Sequence, residues 1–116
     1  MKRLPLAIVV FALLLTSALA QDKFPTGTFA GGSFTISLGA DKVHTVSTEG
    51  RVVVKGTYVV EKDQITFTDQ EGEFACPGQP GKYKWAFDGK SLSFTKVDDN
   101  CDGRVQGLTA QPWVKK

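Results

Sequence analysis

The chain has 116 residues, 14 of them basic and 12 acidic, which gives a formal net charge of +2. This length suits one domain with a single core. The nearly balanced charge leaves no strongly basic surface of the kind that binds nucleic acid or anionic lipid, so we expect no nucleic-acid partner.

The first twenty residues have the pattern of a secretory signal peptide. A basic start precedes an apolar run from Leu4 to Leu15, and Ala18-Leu19-Ala20 is a cleavage signal of the A-x-A type. An uncleaved membrane anchor is the alternative, but the apolar stretch is short and is followed by small residues. We predict a signal peptide over residues 1–20. The mature domain, residues 21–116, is then exported to the periplasm or the extracellular space without membrane insertion.

The two cysteines, Cys76 and Cys101, predict one disulfide, because an exported chain folds in an oxidising compartment and these two allow a single pairing. Closing a loop of this length should add roughly 3 kcal/mol of stability. The run from Asp98 to Gly103 resembles the start of a calcium loop, but Thr109 stands where such a loop needs a glutamate. We therefore expect no metal and no other cofactor.

A short pattern recurs three times along the mature chain. A glycine, a polar residue and an aromatic residue are followed by a turn and then by alternating apolar and polar residues, many of them hydroxyls. The copies begin at Gly27, Gly56 and Gly81. Alternation with a period of two, rich in Thr, Val, Ile and aromatic residues, predicts antiparallel β-strands.

The turns fix which residues face each other. We centre them on Gly31-Gly32, Lys62-Asp63 and Asp88-Gly89. Opposite residues share a face of the sheet, so each hairpin gains one apolar face and one face of hydroxyls and lysines, an arrangement that a one-residue slip would destroy. The predicted pairs are Phe29–Phe34, Tyr58–Phe67, Val60–Ile65, Trp85–Leu92 and Tyr83–Phe94.

Two further strands are predicted between the first and second hairpins. The strand from Arg51 to Val60 should place Val52 and Val54 inward. A turn at Glu49-Gly50 joins it to a less regular strand from Lys42 to Thr48. In that register Thr45 and Ser47 point inward and His44 outward.

The remaining segments read as loops, from Gln70 to Pro80 and from Asp98 to Pro112. The second contains one helical turn around Arg104 to Leu108, before a last short stretch at Trp113. A sheet with one apolar face must cover that face. We predict an all-β fold, an antiparallel up-and-down meander that closes into a small barrel of seven or eight strands, with a sandwich as the alternative.

Gly27-Thr28-Phe29 on the first strand, the meander, the disulfide and Arg104 near the end of the chain resemble the calycin group, in particular small bacterial lipocalin-like proteins. In lipocalins a first-strand Gly-x-Trp packs against a late arginine. Here Phe29 stands at the tryptophan position, and the second lipocalin motif, Thr-Asp-Tyr, is not found in the chain. The resemblance implies a barrel that binds a small hydrophobic molecule.

The residues predicted to contact such a ligand are the large inward aromatic side chains, which combine apolar rings with a few polar tips. Narrow eight-stranded barrels can also be filled by their own side chains. In that case the alternative is a protein-interaction module, a periplasmic inhibitor or an envelope assembly factor, that presents a loop such as Gln70 to Pro80. The predicted ligand contacts are Tyr58, Phe67, Tyr83, Trp85 and Phe94.

The sequence does not predict an enzyme. Covalent catalysis needs a nucleophile beside a base, yet His44 is expected on the outer face and both cysteines are expected in the disulfide. Arg104 is expected to lie against an aromatic ring and brace the barrel through a cation–π contact, with anion binding as the alternative role.

The cleavage site can be checked directly. Expressed with its leader, the exported protein should have the intact mass of residues 21–116 with the disulfide formed, because signal peptidase cuts after the A-x-A signal. Replacing Ala20 with a bulky residue should block cleavage. Recovery of the full-length mass from the wild-type exported fraction would contradict the prediction.

Overall fold

The computed structural model describes residues 23–116, so the predicted signal peptide lies outside the described residues. Eight strands and one helix are found in this range, with seven strands before the helix and one after it. They are β1 (Gly27–Gly31), β2 (Phe34–Leu38), β3 (Val43–Thr48), β4 (Arg51–Glu61), β5 (Gln64–Glu71), β6 (Gly81–Phe87), β7 (Ser91–Asp98), α1 (Asp102–Thr109) and β8 (Trp113–Lys115).

The strands form a closed barrel in chain order, which confirms the predicted up-and-down meander. Each strand pairs with the next one in antiparallel orientation, and β8 returns to β1, where Ala30 lies opposite Val114. The predicted helical turn is the centre of a longer helix, α1. No helix in the described part of the chain is both long enough and apolar enough to cross a membrane.

The middle of the barrel is filled by aromatic side chains. Phe67 on β5 lies at the centre, with its ring centroid 6.4 Å from that of Tyr58, 6.0 Å from Tyr83 and 5.7 Å from Phe94. All four side chains are buried. Their tilted and edge-to-face contacts are the arrangement that aromatic rings favour.

Two of the three predicted hairpin registers are wrong by two residues. The first turn is Gly32-Ser33, so that Phe29 pairs with Ile36, and the third is longer than predicted, so that Trp85 pairs with Phe94. The middle hairpin has the predicted pairs of Tyr58 with Phe67 and Val60 with Ile65. A shift of two residues does not exchange the faces of a strand, so the apolar side chains still face the interior.

A β-bulge between β3 and β4 makes several of the inward and outward positions predicted for these two strands wrong. Val46 pairs with Val54 whereas Ser47 pairs with Val52, which leaves Val53 as the extra residue. One inserted residue reverses the alternation on one side of the bulge. Val52 is therefore exposed and Val53 buried, and His44 is buried although it was expected on the outer face.

The same shift places Thr45 and Ser47, which were predicted to face inward, opposite residues that point to solvent. Thr45 pairs with Lys55 and Ser47 with Val52, and both of these partners are exposed. The two hydroxyl side chains are half-buried on the outer surface. The inward positions of β3 belong to His44 and Val46 instead.

The predicted disulfide joins Cys76, in the loop after β5, to Cys101, the residue before α1, with 6.3 Å between their Cα atoms. It therefore ties the loop and the start of the helix together at the same end of the barrel. The aromatic interior and this covalent link both stabilise the small domain.

The central position of Phe67 gives a stability prediction. Phe67→Ala should lower the free energy of unfolding by about 3–5 kcal/mol, because it removes a fully buried ring and leaves a cavity. Val59→Ala on the outer face of β4, where the side chain is 61% exposed, should change stability by less than about 0.5 kcal/mol. Urea titration with the disulfide intact measures both, and equal losses would contradict the assignment of faces.

Candidate functional site

Arg104 on α1 lies between two buried carboxylates rather than against an aromatic ring. Its Nε donates to Asp99 Oδ2 at 2.7 Å and its Nη2 donates to Asp99 Oδ1 at 2.8 Å. Its Nη1 lies 3.1 Å from Asp69 Oδ2. The predicted cation–π contact of Arg104 is therefore wrong, since the guanidinium is neutralised by acidic side chains. Lys115 lies over the Phe29 ring instead, 5.8 Å from its centroid.

The backbone at the two half-cystines positions both carboxylates. The backbone N–H of Cys76 donates to Asp69 Oδ2 at 3.0 Å, and the backbone N–H of Cys101 donates to Asp99 Oδ1 at 2.9 Å. Asp69 is near the end of β5, and Asp99 follows β7. Each half-cystine therefore orients one of the two acids that hold Arg104.

Two barrel side chains extend this cluster into the interior. The hydroxyl of Tyr83 donates to Asp99 Oδ2, and His44 Nε2 lies 3.2 Å from Asp69 Oδ1. The imidazole also packs against Phe67, with 5.0 Å between the ring centroids. A Cβ atom on Gly56 would come within 2.9 Å of His44 Cε1 and 2.1 Å of the Thr68 carbonyl oxygen, so only glycine leaves room for the imidazole there.

The cluster keeps both acids ionised. Burial raises the pKa of Asp69, but hydrogen bonds from His44 and Cys76 and the charge of Arg104 outweigh that effect and hold the pKa below its usual value. The pKa of Asp99 is lowered in the same way, because hydrogen bonds from Arg104 and Tyr83 outweigh its burial. Burial, together with the hydrogen bond to Asp99, raises the pKa of Tyr83.

A cavity of about 100 Å³ lies between α1 and the wall formed by β2 to β5. His44, Asp69 and Arg104 supply its polar residues, and aromatic and aliphatic side chains supply almost all of the remaining surface. The apolar side chains are Phe34, Ile36, Val46, Val53, Val54, Phe67, Phe74, Leu108 and Trp113. An apolar space with a few polar groups is the usual composition of a small-molecule site.

The cavity opens between α1 and the loop after β5. Phe74 in that loop lines the cavity and is still 50% exposed, so it lies at the mouth. Gly103 and Gly107, four residues apart on α1, line the same opening, and a Cβ atom on either would meet no other atom within 4 Å. At these two positions α1 presents backbone to the cavity, while Arg104 and Leu108 present side chains.

The five predicted ligand contacts lie in three different surroundings in the structure. Phe67 lines the cavity, whereas Tyr58, Tyr83 and Phe94 pack around it in the filled centre of the barrel. Trp85 lies apart from them, with its ring centroid 5.1 Å from that of Phe24 and its Nε1 donating to the Lys62 carbonyl.

Trp113 and Asp69 were not predicted at a site, and Phe74 was included only within the loop Gln70 to Pro80 of the alternative interaction module. Trp113 packs its indole over Gly31 and donates from Nε1 to the Leu108 carbonyl at 3.1 Å. The two glycines in a short helical segment beside Arg104 are the one local signal that could have pointed to this opening, since glycine weakens a helix interior.

The fold and the site define a small disulfide-bonded eight-stranded barrel with a helix over one end. Comparison with models of known protein families, with curated proteins and with solved structures finds no significant match to the chain.

The charge cluster gives a pH-dependent prediction. Asp99→Asn should cost about 3 kcal/mol at neutral pH, because it removes the carboxylate that accepts two hydrogen bonds from the buried guanidinium. The lowered pKa of Asp99 means that the folded state binds fewer protons than the unfolded state at acidic pH. The free energy of unfolding of the wild type should therefore fall as the pH drops below about 4 and then through the pKa of Asp99 in the folded state. The Asp99→Asn variant lacks this carboxyl group, so its free energy of unfolding should fall less over the same pH range.

Asp98→Asn is the matched control for this measurement. Asp98 is the preceding residue and is exposed, so its replacement should leave both the stability at neutral pH and the acid profile close to wild type. Denaturant titrations from pH 3 to pH 8 compare the three proteins. An unchanged acid profile in Asp99→Asn would show that the cluster does not carry the pH dependence.

Proposed function

We propose that the chain is an exported, lipocalin-like binding protein that takes up a small hydrophobic molecule and does not act as an enzyme. The observation that carries the proposal is the apolar cavity beneath α1. The ligand site is then at one end of the barrel, with Phe67 at its inner wall, and not among the aromatic side chains that fill the barrel centre.

The size of the cavity limits the ligand. An engineered apolar cavity of about 150 Å³ takes up benzene, and the present one, at about 100 Å³, continues into an open mouth. A ligand as large as benzene would therefore need part of the mouth as well, under Phe74. A longer molecule would have to extend past the glycines of α1.

The glycine at position 107 of α1 supports the same proposal. Gly107 is inside the helix, where glycine costs about 1 kcal/mol relative to alanine. Its φ angle is not in the left-handed region and a Cβ atom there would meet open space, so neither the backbone nor the packing requires glycine. A side chain at this position would take space that a bound molecule needs, which is a reason for glycine there.

A second candidate function, a protein-interaction module, is favoured by the exposed ring of Phe74 on the loop after β5. A rigid loop with an exposed aromatic side chain is a common form of protein-binding surface. In that function Phe74 would insert into a partner protein and the cavity would take no small molecule. The ligand titration below separates the two functions.

The cavity can be tested with toluene in a Trp85→Phe background, where Trp113 is the remaining tryptophan. Because Trp113 lines the cavity, toluene should change its fluorescence with saturation. Gly107→Leu should weaken binding roughly tenfold or more, since the leucine side chain occupies the opening, and the helix should remain at least as stable.

Gln106→Leu is the matched control, because Gln106 precedes Gly107 on α1 but is exposed and does not line the cavity. It should bind toluene like the parent protein. No saturable change of fluorescence in the parent protein would overturn the proposed function. Equal affinities of the two leucine variants would place the ligand elsewhere.

A further inference from the structure

Phe74 differs from the other aromatic side chains of the cavity wall in its exposure. Four such side chains of residues 23–116 line the cavity, namely Phe34, Phe67, Phe74 and Trp113. Phe67 and Trp113 are buried and Phe34 is half-buried, whereas Phe74 is 50% exposed. Phe74 therefore lies between the apolar space and the solvent, which is the position of a lid.

The backbone at Phe74 is anchored on the bulge of β4. The N–H of Phe74 donates to the carbonyl of Val53, the extra residue of the bulge, at 3.0 Å. Gly72 has a φ of 128°, and a Cβ atom there would collide with the same carbonyl. Glycine at this position lets the loop lie directly against β4 and brings Phe74 to the cavity.

The loop is fixed again two residues after Phe74. Cys76 is bonded to Cys101 at the start of α1, and its backbone N–H donates to Asp69. The backbone is thus held on both sides of Phe74, and rotation about the side-chain bonds is the movement left to the ring. Exposed side chains change rotamer within picoseconds to nanoseconds, so the ring can turn aside and return while the barrel keeps its shape.

A ligand in the cavity favours the position of the ring over the mouth. An apolar molecule supplies surface beneath the ring, and closing removes both the ring and the ligand from water. The bound state therefore shifts the rotamers of Phe74 towards the closed position. Phe67 and Trp113, which are buried among other core residues, have no comparable freedom.

We propose that Phe74 is the lid of the cavity, which turns aside to admit the ligand and then closes over it. The lid determines how long a bound molecule stays, because it must open before the molecule leaves. This inference rests on the proposed function, since it assigns the control of entry and release for the same cavity. It also gives the exposed ring a role within this chain.

Phe74→Ala tests the lid in the Trp85→Phe background. Toluene should dissociate roughly tenfold faster from this variant and bind more weakly by a similar factor, because the ligand loses the apolar cover of one ring. The association rate constant should change much less. NMR exchange measurements on toluene give the dissociation rate, and fluorescence of Trp113 gives the affinity.

Val52→Ala is the matched control for the exchange measurement. Val52 is 56% exposed and precedes Val53 on β4, but it does not line the cavity. Its replacement removes apolar surface near the mouth without touching the lid. Both the dissociation rate and the affinity for toluene should stay at the values of the parent protein.

Closing of the lid can be observed through Phe74→Trp in a background of Trp85→Phe and Trp113→Phe. The introduced indole is then the single tryptophan side chain, since the chain has two tryptophans. Saturation with toluene should shift its emission to shorter wavelength, because the ring loses contact with water. Val52→Trp in the same background should show no such shift.

The outcomes separate the lid from the proposed function. Equal dissociation rates of Phe74→Ala and its parent, tighter binding by Phe74→Ala, an equal change in Val52→Ala, or an emission that toluene does not move would each overturn the lid while leaving a hydrophobic binding protein. Failure of the parent protein to bind toluene would remove the proposed function, and the lid with it.

Discussion

The ion pairs of Arg104 with Asp69 and Asp99 connect the parts of the molecule that define the site. One guanidinium on α1 reaches the end of β5 and the segment after β7, and the backbone N–H groups of the two half-cystines hold the acids in place. Buried ion pairs add little net stability compared with an apolar core, but they favour one geometry over others. Here that geometry is a helix fixed at a set distance above the barrel wall, which leaves the cavity between them.

The period of a β-strand explains which parts of the fold could be predicted from the sequence. Two hairpins are shifted by two residues from the predicted register, and their apolar side chains still face the interior because the side-chain period is also two. The bulge at Val53 adds a single residue, so it moved Val52 to the surface and His44 to the interior. An even error preserves the faces of a sheet, whereas an odd one exchanges them, and no local sequence signal marked this bulge.

The candidate site was harder to predict because its residues come from separate segments. His44, Asp69 and Arg104 are on β3, β5 and α1, and each has a simple local reading as a strand or helix residue. Arg104 was recognised as a structural brace, but its partners were expected to be aromatic. Pairing it with the acids requires knowing that the disulfide brings both loops to one end of the barrel. Tyr58, Phe67, Tyr83 and Phe94 lie inside the barrel as predicted, whereas Trp85 is half-buried apart from them. The filled centre leaves room at its edge, beside Phe67.

The cavity also has an energetic cost that the disulfide can offset. Empty apolar space costs about 24 cal/mol per Å³, so a cavity of about 100 Å³ lowers stability by about 2 kcal/mol, and glycine inside α1 lowers it by about 1 kcal/mol more. A disulfide that closes a loop with a sequence separation of 25 contributes about 3 kcal/mol in return. The covalent link between Cys76 and Cys101 lies at the same end as the cavity, where it restrains both the loop that carries Phe74 and the start of α1. A small barrel can therefore keep an open, weakly packed end for a ligand, provided that its centre is filled and this end is tied covalently.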